Sequence, residues 1–134
     1  MIKPTATLLA LFLSVGAQAA VLQPLEDNPR VRGEFLAAAV GDEIRKNCPT
    51  ISARMFRVLR KANELEDYAL SLGYSRDDIK EMRKSPAAKA RLKALRDAYL
   101  VRNGVTKGDA ESYCRLGYEE IEKNSLTGWL LRAN

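Results

Sequence analysis

Seven apolar residues between positions 51 and 72 set the fold class. Ile51, Met55, Val58, Ala62, Leu65, Ala69 and Leu72 are spaced four, three, four, three, four and three apart. At 3.6 residues per turn this spacing keeps all seven on one side of a cylinder. It predicts an amphipathic helix from about Ile51 to Leu72. Arg54, Arg57, Lys61 and Glu64 fall elsewhere on the cylinder and read as solvent-facing. Gly73 stands where a helix can end on a left-handed residue. No stretch shows sustained period-two alternation. The chain is rich in Ala, Leu, Lys, Arg and Glu, all good helix formers, and its few prolines and glycines sit mostly between periodic segments. The fold class is therefore expected to be all-α, a small bundle of about five helices tied by one disulfide.

The other helices are placed by caps and stripes. A first helix is expected from about Val31 to Lys46, with Leu36, Val40 and Ile44 four apart and Phe35 and Ala39 beside them. Asn47-Cys48-Pro49 ends it, because a residue before proline is pushed out of the helical region. Ser75 looks like the cap of a short third helix reaching about Lys84, with acids in its first turn. Ser85-Pro86 starts a fourth, since proline is tolerated at the first helical position. Its buried face would be Ala88, Leu92, Leu95 and Tyr99, and Asn103-Gly104 would close it near Arg102. Asp109 caps a fifth through about Glu122, with Cys114, Gly117, Tyr118 and Ile121 turned inward. Leu126, Trp129 and Leu130 are expected to pack back onto the domain.

The N-terminus has the order of a secretory signal: Lys3, an apolar stretch from Ala6 to Val15, then Ala17-Gln18-Ala19. The apolar stretch is about half what a helix needs to span a bilayer. Cleavage is expected between Ala19 and Ala20. Removing nineteen of 134 residues leaves 115, enough for one domain, with the side-chain charge falling from +5 to +4 as Lys3 is lost. The expected organisation is a signal peptide at 1–19, an extended lead-in at 20–30 and a single helical domain at 31–134.

Cys48 and Cys114 are the only cysteines. In the oxidising compartment that a signal implies, two lone cysteines usually pair, and their spacing is unlike a C-x-x-C redox site. The chain has no histidine, which removes Ser–His–Asp and Cys–His catalysis in their usual forms and most zinc sites. Glu119, Glu120 and Glu122 point in different directions on a helix and read as a solvated face. No phosphate-cradling glycine loop is present. The expectation is no enzyme, no metal and no cofactor. From Arg76 to Arg96 eight basic residues face three acids. A short helix, a tight turn and a basic second helix here are like a helix-turn-helix, in which Lys89, Lys93 and Arg96 would face phosphates. The same residues also fit an ordinary polar helix face.

Five segments carry a resemblance: Gly41-Asp42-Glu43-Ile44-Arg45-Lys46-Asn47-Cys48, Ile51-Ser52-Ala53-Arg54-Met55, Leu72-Gly73-Tyr74-Ser75, Glu111-Ser112-Tyr113-Cys114 and Gly128-Trp129-Leu130-Leu131-Arg132. Together they resemble a family of small exported alphaproteobacterial proteins, domain of unknown function 5333. The resemblance implies a periplasmic location and one cysteine pair, and no activity. The leading expectation is a non-catalytic periplasmic domain that binds an envelope protein or an anionic envelope component. Asp42, Glu43, Arg45 and Arg54 are the first candidates for a polar contact site, unless they simply form surface ion pairs of about 0–1 kcal/mol each. The rival expectation is a cytoplasmic helix-turn-helix protein that binds nucleic acid through residues 76–96.

Overall fold

The computed structural model describes residues 21–134. The predicted signal segment and its cleavage point between Ala19 and Ala20 lie outside the described residues. Six α-helices are present among the described residues: α1 (Pro29–Asn47), α2 (Met55–Ser71), α3 (Arg76–Lys84), α4 (Pro86–Arg102), α5 (Ala110–Lys123) and α6 (Leu126–Leu130). The expected all-α class holds, with one small departure. Ile51–Ala53 (β1) and Leu131–Ala133 (β2) form a two-stranded antiparallel pair in which Ser52 opposes Arg132.

Local chemistry explains most of the boundaries. Asn28 caps α1 by accepting from the Arg30 and Val31 N–H groups at 3.0 and 3.1 Å, with Pro29 at the first helical position. The helix thus starts two residues before the expected Val31. Ser75 and Asp78 close a reciprocal capping box on α3. That contact, first from the Ser75 backbone N–H and then from its hydroxyl, holds the Asp78 carboxyl below its ordinary value. Ser85 caps α4 with Pro86 at its first position. Gly73 is left-handed at φ 97°, as its place after α2 requires.

Three expectations are corrected. The long second helix does not begin at Ile51: residues 51–53 are a strand, and α2 starts at Met55. The partner strand lies about eighty residues downstream, so no local pattern reveals it, and three residues are too few to show alternation. The Arg54 N–H continues the contact by donating to the Leu130 carbonyl at 2.8 Å. The lead-in is not simply extended. Leu25–Asp27 form one 3-10 turn, and Leu25 is buried in the core. The inner face of α5 is turned by about one residue. Tyr113, Leu116, Gly117 and Glu120 are buried, while Tyr118 is exposed.

The core has two lobes threaded by α1. Val40 and Ile44 pack with Ile51, Leu100, Leu116 and Leu131 at one end. Val31 packs with Leu25, Ala69 and Ile79 at the other. Cys48 and Cys114 are joined by a disulfide, with Cα atoms 5.1 Å apart, which ties the end of α1 to α5. Gly117 sits under this junction. A Cβ there would come within 2.7 Å of Ile44 Cγ2 and overlap the Ile51 side chain.

Candidate functional site

The four residues singled out as a polar contact site are dispersed. Asp42 pairs along its own helix with Arg45 at 2.6 Å and Lys46 at 2.5 Å. Burial pushes its carboxyl up, but the Lys46 hydrogen bond and the Arg45 charge outweigh this and leave it below its ordinary value. Glu43 turns away to Arg96 of α4 at 3.2 Å. Arg54 makes no ion pair among the described residues. Its Nε donates to the Leu131 carbonyl at 3.1 Å, so it fastens α2 to β2 and is not the solvent-facing residue expected.

The basic tract is also broken up. Arg76 pairs with Glu66 at 3.0 Å, Arg91 with Asp27 at 2.7 Å, and Arg96 with both Glu43 and Asp97. Arg96 is therefore tied down rather than sharing a free row with Lys89 and Lys93. Only Ser85 separates α3 from α4.

A different surface stands out at the start of α2. Phe56 is 91% exposed, Met55 57% and Leu59 56%. From Ile51 to Asn63 there are four cations, Arg54, Arg57, Arg60 and Lys61, and no acid. Trp129 flanks this helix. Arg57 donates to its carbonyl at 2.9 Å, and the Arg57 and Arg60 guanidinium carbons stand 4.8 and 5.2 Å from its ring centre. The result is an exposed apolar ridge with Arg60 at its edge; Arg57 and Lys61 lie on the other side of α2 beside Trp129, and Lys61 pairs with Glu64 at 3.1 Å. The stripe reading missed the ridge because it took Met55 as core, in step with Ile51. Once Ile51 belongs to a strand, Met55 opens the helix and faces out. The available signal was the pair Phe56 and Leu59, apolar residues one turn apart and off the stripe.

The profile of a family described as of unknown function, DUF5333, matches residues 23–132. The chain belongs to DUF5333. No curated protein and no solved structure matches it. In this DUF5333 chain most of the segments quoted above meet at one end of the molecule. Glu43–Cys48 closes α1 at the bridge, Cys114 answers it from α5, Ile51–Ala53 is β1, and Leu131-Arg132 is β2. These pieces hold the architecture together.

Two acidic side chains are hidden. Glu120 is 2% exposed, not part of a solvated face as expected; the Tyr99 hydroxyl donates to one carboxylate oxygen at 2.5 Å and the Ser125 hydroxyl to the other. Burial and then this hydrogen bond push the Tyr99 hydroxyl up to about 12. Glu34 is different. Its Oε1 accepts from Arg30 at 2.9 Å, while its buried Oε2 has no donor among the described residues. No group of three or more acidic or cysteine side chains is arranged to hold a metal among the described residues. No described helix is long and apolar enough to cross a membrane.

Proposed function

We propose that this DUF5333 chain is an exported, non-catalytic module of the cell envelope that docks on an anionic lipid surface through the first half of α2. The observation that carries the reading is the exposed ridge of Met55, Phe56 and Leu59, with Arg60 at its edge and no acid from Ile51 to Asn63. Helices that lie on membranes combine an apolar edge with cations beside it. Each cation near an anionic leaflet contributes about 1 kcal/mol, and burying an exposed Phe or Leu contributes roughly 1.5–3 kcal/mol. Arg54 and Arg57 tie the start of α2 to the Leu131 and Trp129 carbonyls, so the ridge rests on a fixed helix start and little order is lost on docking. The signal-like N-terminus supports export, and the disulfide fits an oxidising compartment.

Vesicle flotation tests this reading. The disulfide-bonded chain should float with vesicles containing phosphatidylglycerol and not with phosphatidylcholine alone. Phe56→Ser with Leu59→Ser, or Arg60→Glu, should reduce binding at least tenfold without unfolding the protein. Equal binding to both vesicle types, or none to either, would discard it.

A further inference from the structure

A cavity of about 110 Å³ lies between α1, α2 and α3, on the other side of α2 from the ridge's most exposed residue. Its walls are mostly apolar, with Val31, Phe35, Ala62, Leu65 and Ile79 among them. Glu34 also lines it. The Glu34 side chain is only 13% exposed, and its Oε2 is buried without a donor. A second cavity of about 130 Å³ lies towards α4, and Val31, Phe35, Met82 and Arg83 border both. The partition is thus made largely of one ring and one flexible thioether chain.

We propose that this cavity is a binding site for a small, uncharged apolar molecule that carries one hydrogen-bond donor, with a phenol or a short-chain alcohol as the ligand class. A buried acceptor left without a donor is costly, so a ligand that supplies one is favoured over an apolar ligand of the same shape once the Glu34 carboxylate turns its Oε2 into the cavity. The donor should be neutral. Both carboxylates at the wall already have a cation, Glu34 from Arg30 at 2.9 Å and Glu66 from Arg76 at 3.0 Å, while Arg83 borders the space without an ion pair among the described residues, so an ammonium would find no free counter-charge. An anion would meet the unpaired carboxylate oxygen. At about 110 Å³ the cavity is smaller than the roughly 150 Å³ apolar cavity that holds a benzene ring, so a ring-sized ligand also draws on the adjoining space of about 130 Å³ beyond Phe35 and Met82. The inference is independent of membrane docking.

Amide chemical-shift titration of the disulfide-bonded chain tests it, with phenol and toluene as isosteric probes and benzylamine as the charged one. Phenol should bind saturably and perturb residues lining the cavity on α1, α2 and α3. It should bind at least tenfold more tightly than toluene or benzylamine. Glu34→Met should abolish the preference of phenol over toluene while toluene still binds. Ala62→Leu, which fills the space and leaves Glu34 in place, should weaken both. Equal affinities for phenol and toluene in the native chain would overturn the proposal. So would a preference that survives Glu34→Met, tighter binding of benzylamine, or no saturable shift at the cavity.

Discussion

Buried Glu120 and half-buried Glu34 take opposite positions in this molecule, the first with both carboxylate oxygens satisfied and the second with one left without a donor. Glu120 has a hydroxyl donor on each oxygen and joins α4, α5 and the turn into α6. Ser125, one of those donors, also caps α6 by accepting from the Gly128 N–H at 3.0 Å. Gly128 is required there because a Cβ would overlap the Glu120 carbonyl. Neither role is visible in a run of Glu119, Glu120 and Glu122, where helical geometry assigns no preferred partner. Tyr99 and Ser125 are distant or beyond the helix end, so only the packed chain identifies them. The pair has a pH signature. The folded chain favours the neutral Tyr99 hydroxyl, whose value rises from near 10 to about 12 through burial and the Glu120 hydrogen bond. Its stabilisation is complete below about pH 10 and is lost as pH rises towards 12. Denaturation measured across that range should show stability falling in the native chain and a flatter profile in Tyr99→Phe.

At the scale of elements, caps were legible and long-range pairing was not. Ser75, Ser85-Pro86 and Asp109 each mark a helix start because the cap acts within three residues. Asn28 does the same for α1, but it lies between Pro24 and Pro29, and a proline-flanked stretch fits an extended segment equally well. The Ile51–Ala53 strand was lost inside a helical stripe, since its partner Leu131–Ala133 is far downstream. That error hid the candidate docking ridge, because it placed Met55 inward. The C-terminal strand is fixed more by its core side chain than by its ladder. Leu131 is 2% exposed and contacts the space above Gly41. Leu131→Ala should cost about 2–5 kcal/mol, whereas Arg132→Ala, at an exposed neighbouring position, should stay within about 0.5 kcal/mol. Urea unfolding of both variants measures the difference.

For the whole molecule, the bridge between Cys48 and Cys114 closes a span of 66 residues that contains α2, α3 and α4. In the chain-entropy account such a loop is worth about 4 kcal/mol, a large part of the roughly 5–15 kcal/mol of a small domain. Cys48→Ala with Cys114→Ala should lower stability by about that amount in urea unfolding, with the added loss of packing at buried Cys48. The bridge, β1–β2 and the start of α2 lie close together, so this loss should also loosen the face that carries Phe56 and Leu59.

The measurement that bears most directly on a module exported and then locked by its bridge is intact mass without reductant. The full chain would be expressed in a Gram-negative host, and periplasm and cytoplasm separated. The account predicts a periplasmic species beginning at Ala20 and lighter by two hydrogens than the dithiol. A full-length cytoplasmic species with two free thiols would contradict it.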